Sequence, residues 1–257
     1  MVKLPVIVEN RNSAKDVLVN AIRMRNSLEE HAKVMEQQGG KYIRPIVLFQ
    51  AQPKTDDDNI TFDKIKHNLI NFGISEEEIK IKTANKDELK GINLMSNQCP
   101  VRYIITVNAL KEGWDCPFAY ILATLANKTS AVDVEQILGR ILRQPYAAKH
   151  SNDLLNISYV FTCSNDFRQT VEKIIISLQK AGFSRKDFRE IEKIVPQQTH
   201  VAAWGDLFEN IESDKVEAEE ENNFMDMTDA EVESIKKELQ ISDSNTEIAT
   251  LQEQAKQ

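Results

Sequence analysis

The fold is decided by residues 101–143, which read VRYIITVNALKEGWDCPFAYILATLANKTSAVDVEQILGRILR. Two almost continuous apolar runs, 101–107 and 119–125, have the length and the Val, Ile and aromatic content of buried strands. A polar loop containing a glycine and a proline separates them, and apolar residues then recur at helical spacing as far as Arg143. Strand, loop, strand and helix in this order predict an α/β protein with a mostly parallel sheet.

The same alternation continues on both sides of this stretch. Apolar runs predict strands at 4–9, 44–50, 79–83, 101–107, 119–125 and 157–162. The helices between them are predicted from Ser13 to Gly39, from Thr61 to Gly73, over 130–143 and over 167–181. Ser75 and Glu78 have the spacing of a capping box, and residues 84–100 are predicted to be mainly loop.

The charge divides the chain into two parts. The formal net charge is −8, but residues 205–257 carry 4 Lys/Arg against 16 Asp/Glu, a net −12, which leaves +4 for residues 1–204. The acidic balance therefore describes a tail and does not argue against nucleic acid as a partner of the body. We predict a body over 1–204 and an acidic extension over 205–257, in which TDAEVESIKKELQ forms one exposed helix with Thr228 and Glu231 as its capping box.

Cysteine and histidine usage excludes several classes of site. Cys99, Cys116 and Cys163 are an odd number without a CxxC motif, and the four histidines are scattered. This is neither a disulfide framework nor a zinc spacing, so we expect three reduced thiols and no metal ligands. No apolar run approaches the ~20 residues of a membrane span, and no signal peptide opens the sequence. We therefore expect a cytoplasmic protein.

The loop and the helix each carry candidate functional residues. Asn108, Glu112 and Asp115 supply polar groups in a loop that follows a strand, where ligands of parallel sheets gather, although an ordinary turn has a similar composition. On the helix, Gln136, Arg140 and Arg143 lie on one stripe suited to phosphate oxygens. A solvated helix face with surface arginines is the alternative.

The mid-helix glycine and the apolar stripe give two further expectations. Gly139 costs on the order of 1 kcal/mol relative to alanine, which close approach of a neighbouring backbone would offset. The apolar residues of the helix form a separate stripe that we expect to face the sheet: Val134, Ile137, Leu138, Ile141 and Leu142.

Taken together, EGWD and QxxGRxxR resemble the fifth and sixth motifs of superfamily 2 helicases. The segments YIRPIVLFQAQP, DELKGIN, CPVRYIITVNALKEGWDCPFAYILATLAN and VDVEQILGRILRQPY look like the second motor domain of the restriction (Res) subunit of type III restriction enzymes. The resemblance covers roughly residues 1–185. It implies a RecA-like (P-loop NTPase-like), three-layer domain of helicase C-terminal type.

The resemblance also implies roles for individual residues. The implied nucleotide-contacting set is Glu112, Gly113 and Asp115 in the loop and Gln136, Arg140 and Arg143 on the helix. Asp115 matches the residue that binds the ribose. Arg140 and Arg143 match the residues that reach the ATP phosphates, one of them as an arginine finger, and Gln136 matches the residue that helps to place them.

Contact with nucleic acid is predicted at the ends of the strands. The candidates are Gln50, Gln52, Thr83, Thr106 and Asn108. Polar side chains and amides suffice for contacts to a nucleic-acid backbone, although ordinary loop polarity accounts for the same residues. The motif threonine of many such helicases is absent, because Val107 stands in its place.

The sequence contains neither GxxxxGK[ST] nor a DExH or DEAD box, the groups that hold a triphosphate and Mg²⁺. We therefore expect that ATP with Mg²⁺ is bound mainly by a first RecA-like motor domain, in cis or in trans, and that this chain alone neither hydrolyses ATP nor cuts DNA. By resemblance its partners are double-stranded DNA and a modification (Mod) methyltransferase subunit. A non-catalytic nucleic-acid or protein binding module and a non-restriction translocase are the alternatives.

Overall fold

One parallel sheet organises the residues that the computed structural model describes, namely 3, 6–11, 13–52, 61–107, 115–125, 139–163, 176, 188–191 and 227–240. Its strands are β1 (Val6–Asn10), β2 (Ile46–Gln50), β3 (Ile79–Ile81), β4 (Tyr103–Thr106), β5 (Ala119–Thr124), β6 (Ser158–Thr162) and β7 (Phe188–Ile191). Their order across the sheet is β3-β4-β2-β5-β6-β1-β7, and neighbouring strands run parallel. The predicted α/β fold with a mostly parallel sheet is confirmed.

The helices in the described part of the chain are α1 (Ala14–Gln37), α2 (Phe62–Asn71) and α3 (Asp229–Gln240). Short 3₁₀ turns occupy Glu76–Glu78, Pro145–Ala147 and Asp153–Asn156. None of the described helices is long and apolar enough to cross a bilayer. Residues 139–141 are helical, as predicted for the end of the 130–143 helix. Of the predicted 167–181 helix only Ile176 is described, and it is helical.

The strands at the centre of the sheet are buried because they are apolar along their whole length. Every residue of β2 and β5 is buried. This is the pattern expected of a parallel strand that is covered on both faces. β7 was not predicted, because its sequence FREI carries two charged residues. Its strand conformation comes from pairing with β1, where Val6 lies opposite Phe188.

The helix starts follow the local sequence. The Ser13 hydroxyl accepts a hydrogen bond from the Asp16 amide at 3.1 Å, and Thr61 occupies the equivalent position before α2. The capping box predicted at Ser75 is wrong, because the segment that follows is a three-residue 3₁₀ turn too short to use a side-chain cap. Ile70 of α2 is apolar but 41% exposed.

The described part of the acidic extension, α3, packs against α1. Ile235 of α3 is only 4% exposed and joins the main core, and Lys15 of α1 lies 3.1 Å from Glu231. The capping box is confirmed, since the Glu231 amide donates to the Thr228 hydroxyl and the Thr228 amide donates to the Glu231 carboxylate. Most described residues of α3 are exposed, as predicted, and the helix packs on α1 through an apolar face that includes Ile235. The boundary at residue 204 lies outside the described residues and stays a prediction.

An ion-pair cluster joins α1 to the edge of the sheet. Glu29 lies 2.7 Å from Arg25 and 2.9 Å from Arg102, and Arg102 also lies 3.5 Å from Glu78. The Arg25 guanidinium lies 5.5 Å from the centre of the Tyr103 ring. Burial by itself raises the pKa of Glu29, but the two arginines outweigh it and lower that pKa below its ordinary value.

We expect Glu29→Gln to reduce the free energy of unfolding by about 1–3 kcal/mol at neutral pH, because the buried Arg25 loses its carboxylate partner and Arg102 keeps the longer contact with Glu78. Because the pKa of Glu29 is lower in the folded state than in the unfolded state, the Glu29 charge stabilises the fold at pH values above the unfolded-state pKa. This stabilisation is lost as the pH falls through the folded-state pKa. The difference between Glu29→Gln and the wild type should therefore shrink below about pH 4, as urea unfolding at several pH values will measure.

The matched control for this prediction is Glu30→Gln on the same helix, since Glu30 is 62% exposed and pairs with Lys33, which is itself exposed. Its effect on the free energy of unfolding should be near zero at every pH. A Glu29→Gln effect as small as that of Glu30→Gln, or one independent of pH, would contradict the assigned role of the cluster.

Candidate nucleotide site

The structure brings Asp115 and Arg143 together although they belong to different segments. One Arg143 guanidinium nitrogen lies 2.8 Å from a carboxylate oxygen of Asp115. The two side chains are 58% and 51% exposed, so both remain reachable from solvent. The loop before β5 and the end of the following helix therefore meet at one point, as the proposed roles of these residues require.

Arg140 lies about one helical turn before Arg143 and takes part in the same electrostatic environment. Burial lowers its pKa, the Arg143 charge lowers it further, and Asp115 acts in the opposite direction. An arginine remains protonated despite such a shift, so the site carries two guanidiniums and one carboxylate. Ile141 and Leu142 are buried, which confirms that this end of the apolar stripe faces the core.

The expected reason for Gly139 is wrong. A Cβ atom added at Gly139 would meet no heavy atom within 4 Å outside the helix's own backbone. Among the described residues, no neighbouring segment therefore requires a glycine there, and nothing in this part of the structure explains its presence.

The site lies at the amino ends of the strands, whereas the loop was predicted at the carboxyl ends. The chain leaves the carboxyl end of β4 at Val107, and Asp115 has already reached the beginning of β5. The Ser158 hydroxyl, at the beginning of β6, donates to the Ile141 carbonyl at 3.3 Å and holds the helix end at the same edge. The physical reason is connectivity, because a chain joining two parallel strands must cross the sheet before the second strand begins.

Lys3 ties the two halves of the site together and was not predicted. Its ammonium group is fully buried and donates to the carbonyls of Pro117 at 3.0 Å, Ala119 at 2.7 Å and Arg143 at 2.8 Å. The ammonium also lies 4.2 Å from the centre of the Tyr120 ring. A lysine ordinarily indicates a solvated position, so no local signal could have identified this contact.

Burial controls the protonation of both Lys3 and the neighbouring Cys116. Burial lowers the pKa of Lys3 to about 7, against the opposing influence of Cys116 and Asp115. Burial raises the pKa of Cys116 to about 12, against the lowering influence of Lys3. Cys116 is a free thiol and stays protonated near neutral pH, as expected for a cysteine that takes no part in chemistry.

Several predicted nucleic-acid contacts lie at the opposite, carboxyl edge. Gln50 pairs in register with Thr106 on one side and with Thr124 on the other. Gln50 is 4% exposed and accepts a hydrogen bond from the Thr124 hydroxyl at 3.1 Å. The Gln52 amide donates to the Leu125 carbonyl at 2.8 Å, and Thr106 is fully buried. A nucleic acid would have to replace these internal bonds to contact the side chains.

Thr83 also follows its strand at the carboxyl edge, where it shapes a turn. Its hydroxyl accepts from the Lys86 amide at 3.1 Å, and its own amide donates to the Lys86 carbonyl at 2.7 Å. The turn exposes Ala84 and Asn85 to solvent. Their backbone and side-chain groups are therefore more accessible than those of the buried glutamines.

Comparison with solved structures finds similar folds at low sequence identity, among them domains of Dbp5 and Mss116p. No protein-family model matches this sequence, and neither does any curated protein. The C-terminal domain of S. cerevisiae Dbp5, in a substituted form bound to a substituted Gle1 and IP6, is 14% identical, with a TM-score of 0.41 over 74% of this chain and 90% of that chain. Domain 2 of the DEAD-box helicase Mss116p, bound to an RNA duplex, is 13% identical, with a TM-score of 0.41 over 74% of this chain and 65% of that chain. Because identity and TM-score are low in both cases, the function is inferred from this chain's own residues.

Some of the predicted site residues lie outside the described part of the chain. These are Asn108, Glu112, Gly113 and Gln136. Their roles stay predictions, and the described part of the site consists of Asp115, Arg140 and Arg143 with Lys3 beneath them.

Proposed function

We propose that this chain is the second motor domain of an ATP-dependent DNA translocase of helicase superfamily 2. The observation that carries the proposal is the 2.8 Å contact between Asp115 and Arg143 at the amino edge of the sheet, with Arg140 beside it. In this function Asp115 binds the nucleotide ribose and the two arginines bind the phosphates. A first motor domain, in cis or in trans, supplies most of the contacts to ATP and Mg²⁺.

The described residues suit this chemistry. Guanidinium groups bind phosphate oxygens through short, directional hydrogen bonds, and a pair of them stabilises the charge that develops during phosphoryl transfer. The Asp115–Arg143 pair is half exposed, and such pairs typically stabilise a fold by only ~0–1 kcal/mol. An arriving nucleotide can therefore separate the two groups at low cost and use both.

We propose further that the parent enzyme is a type III restriction enzyme, in which this domain belongs to the restriction subunit. The support is the sequence resemblance over residues 1–185. In that setting the substrate track is double-stranded DNA, the Mod methyltransferase reads the recognition site, and the ATP-driven motor belongs to an endonuclease. The accessible backbone at the Thr83 turn is the described part of the carboxyl edge best placed to contact DNA.

The direct test combines this chain with a first motor domain that carries a Walker A loop and is encoded with it. ATP hydrolysis is measured for each protein alone and for the mixture, with and without double-stranded DNA. We expect the mixture to hydrolyse ATP, DNA to accelerate the reaction, and this chain alone to be inactive. A mixture no more active than the first domain alone would overturn the proposal, and DNA binding without any ATPase activity would favour a non-catalytic binding module.

A second arm addresses the restriction role. The purified Mod subunit is tested for binding to the two-domain motor and for site-dependent DNA cleavage in the assembled enzyme. A motor with DNA-stimulated ATPase activity that neither binds Mod nor supports cleavage would point to a non-restriction translocase.

A further inference from the structure

We propose that Lys3 is a positioning residue that holds the Asp115 loop and the Arg143 helix end together through their backbone carbonyls, without touching the nucleotide. The mechanism rests on the geometry of the described residues. Its consequence for ATP hydrolysis rests on the proposed function.

Each of the three N–H donors of the Lys3 ammonium bonds to a different backbone carbonyl. Two acceptors, the Pro117 and Ala119 carbonyls, follow Asp115 closely in the chain, and the third is the carbonyl of Arg143 itself. The Lys3 amide adds a fourth bond, to the Leu142 carbonyl at 2.7 Å. A single residue thus connects the backbone beside both members of the Asp115–Arg143 pair.

The nature of the acceptors indicates a structural clamp. The last carbonyls of a helix lack partners within the helix and carry partial negative charge, so a cation placed there is stabilised. Buried lysines are rare unless they are paired, because removing the ammonium from water is costly. Lys3 offsets that cost with carbonyls from two segments, which it can do only while those segments stay close together.

The clamp is sensitive to protonation. The titratable and charged groups around the Lys3 ammonium are Asp115 and Cys116 from the loop, Tyr120 from β5, and His150 beyond the helix. Burial lowers the pKa of His150, and the Lys3 charge lowers it further. Burial places the pKa of Lys3 itself at about 7. A neutral amine has one N–H donor fewer than an ammonium, so deprotonation leaves one of the three carbonyls without its bond.

Selective labelling of thiols tests the clamp in the whole chain without any nucleotide. Cys116 is fully buried next to the clamp, whereas Cys99, 9% exposed, lies in a different loop and serves as the internal reference. Alkylation by iodoacetamide is followed by mass spectrometry for each cysteine. In Lys3→Met we expect labelling of Cys116 relative to Cys99 to rise about tenfold or more, because the loop opens more often.

An electrostatic effect of the substitution would have the opposite sign. The Lys3 charge lowers the pKa of Cys116, so its removal alone would decrease the reactive thiolate and slow the labelling. A general loss of stability would accelerate the alkylation of Cys116 and Cys99 equally. Lys3→Arg keeps a cation with several donors and should restore much of the wild-type ratio.

Labelling of the wild type at a series of pH values is an independent test, and it remains informative if Lys3→Met does not fold. Between about pH 6 and about pH 8 the Cys116 to Cys99 labelling ratio should rise as Lys3 loses its proton. In Lys3→Met the ratio should not change over this range. Equal acceleration of labelling at both cysteines in Lys3→Met would overturn the clamp, and a flat ratio in the wild type would overturn its dependence on the Lys3 proton.

Joining this assay to ATP hydrolysis separates the clamp from the motor function. In the two-domain mixture Lys3→Met should lower the ATPase rate about tenfold or more, because the arginines lose their exact placement. Selective labelling without ATPase activity in any mixture would support the clamp and overturn the motor. Active mixtures with unchanged labelling and unchanged ATPase in Lys3→Met would overturn the clamp and leave the motor intact.

Discussion

Replacing Arg143 by alanine is expected to lower the ATPase rate of the two-domain motor by about 10³-fold or more, the scale of an arginine that stabilises phosphoryl transfer. Arg143 is 58% exposed and lies at the edge where the nucleotide is proposed to bind, so its removal should change the transition state far more than the fold. Steady-state rates at saturating ATP, together with urea unfolding of the variant, measure the two effects separately.

Three further variants define this result. Arg143→Lys keeps the charge but loses the planar pair of donors, so its rate should fall between those of the wild type and Arg143→Ala. Asp115→Asn should act mainly on the KM for ATP, since a ribose contact is similar in the ground state and the transition state. Lys33→Ala changes an exposed pair on α1 and should leave the rate unchanged. Wild-type ATPase activity in Arg143→Ala would contradict the role of this arginine.

Arg44→Met is expected to reduce the free energy of unfolding by about 3–5 kcal/mol, the largest stability effect we predict for a single side chain. Arg44 is 1% exposed and donates to the carbonyls of Leu94 at 2.6 Å, Ser96 at 2.8 Å and Val101 at 2.8 Å, and to the Tyr42 hydroxyl at 3.1 Å. Methionine fills a similar volume but provides no donor. The Leu94 and Val101 carbonyls would therefore lose their Arg44 donors, whereas the Ser96 carbonyl would keep its bond from the Cys99 amide at 3.2 Å.

Urea unfolding of Arg44→Met and Arg44→Lys measures this contribution. Lysine retains the charge and three donors but not the planar fork, so Arg44→Lys should lose less stability than Arg44→Met. Proteolysis should accelerate first within residues 94–101, because Arg44 holds that loop against the sheet. A loss in Arg44→Met no larger than that in Lys33→Ala would show that water replaces the bonds without cost.

Lys3 and Arg44 have the same structural role at the amino edge of the sheet. Each is a buried cation whose hydrogen-bond acceptors are mostly backbone carbonyls of irregular segments. The Arg44 guanidinium lies 5.8 Å from the centre of the Phe118 ring, and Phe118 follows the Pro117 carbonyl that Lys3 binds. Residues 115–118, which lead into β5, are therefore held between two buried charges.

Local patterns were sufficient to predict most of the regular elements. The apolar runs around β2 and β5 are typical of strands that are covered on both faces. Ser13 and Thr228 mark helix starts because their hydroxyls accept hydrogen bonds from nearby backbone amides. Prediction failed for β7, whose conformation depends on pairing with β1, and it did not include the contact between α3 and α1. In both cases the deciding partner is distant in the sequence.

By itself the sequence determined a parallel α/β sheet, the stripe that carries Arg140 and Arg143, and the loop that carries Asp115, because hydrophobic periodicity and helical spacing act over a few residues. Only the tertiary structure decided that Asp115 and Arg143 meet at the amino edge, that Gln50 and Gln52 are turned inward at the other edge, and that Lys3 lies beneath the site. The physical reason is that a buried charge or amide is stable only with partners that satisfy it, and here those partners come from remote segments of the chain.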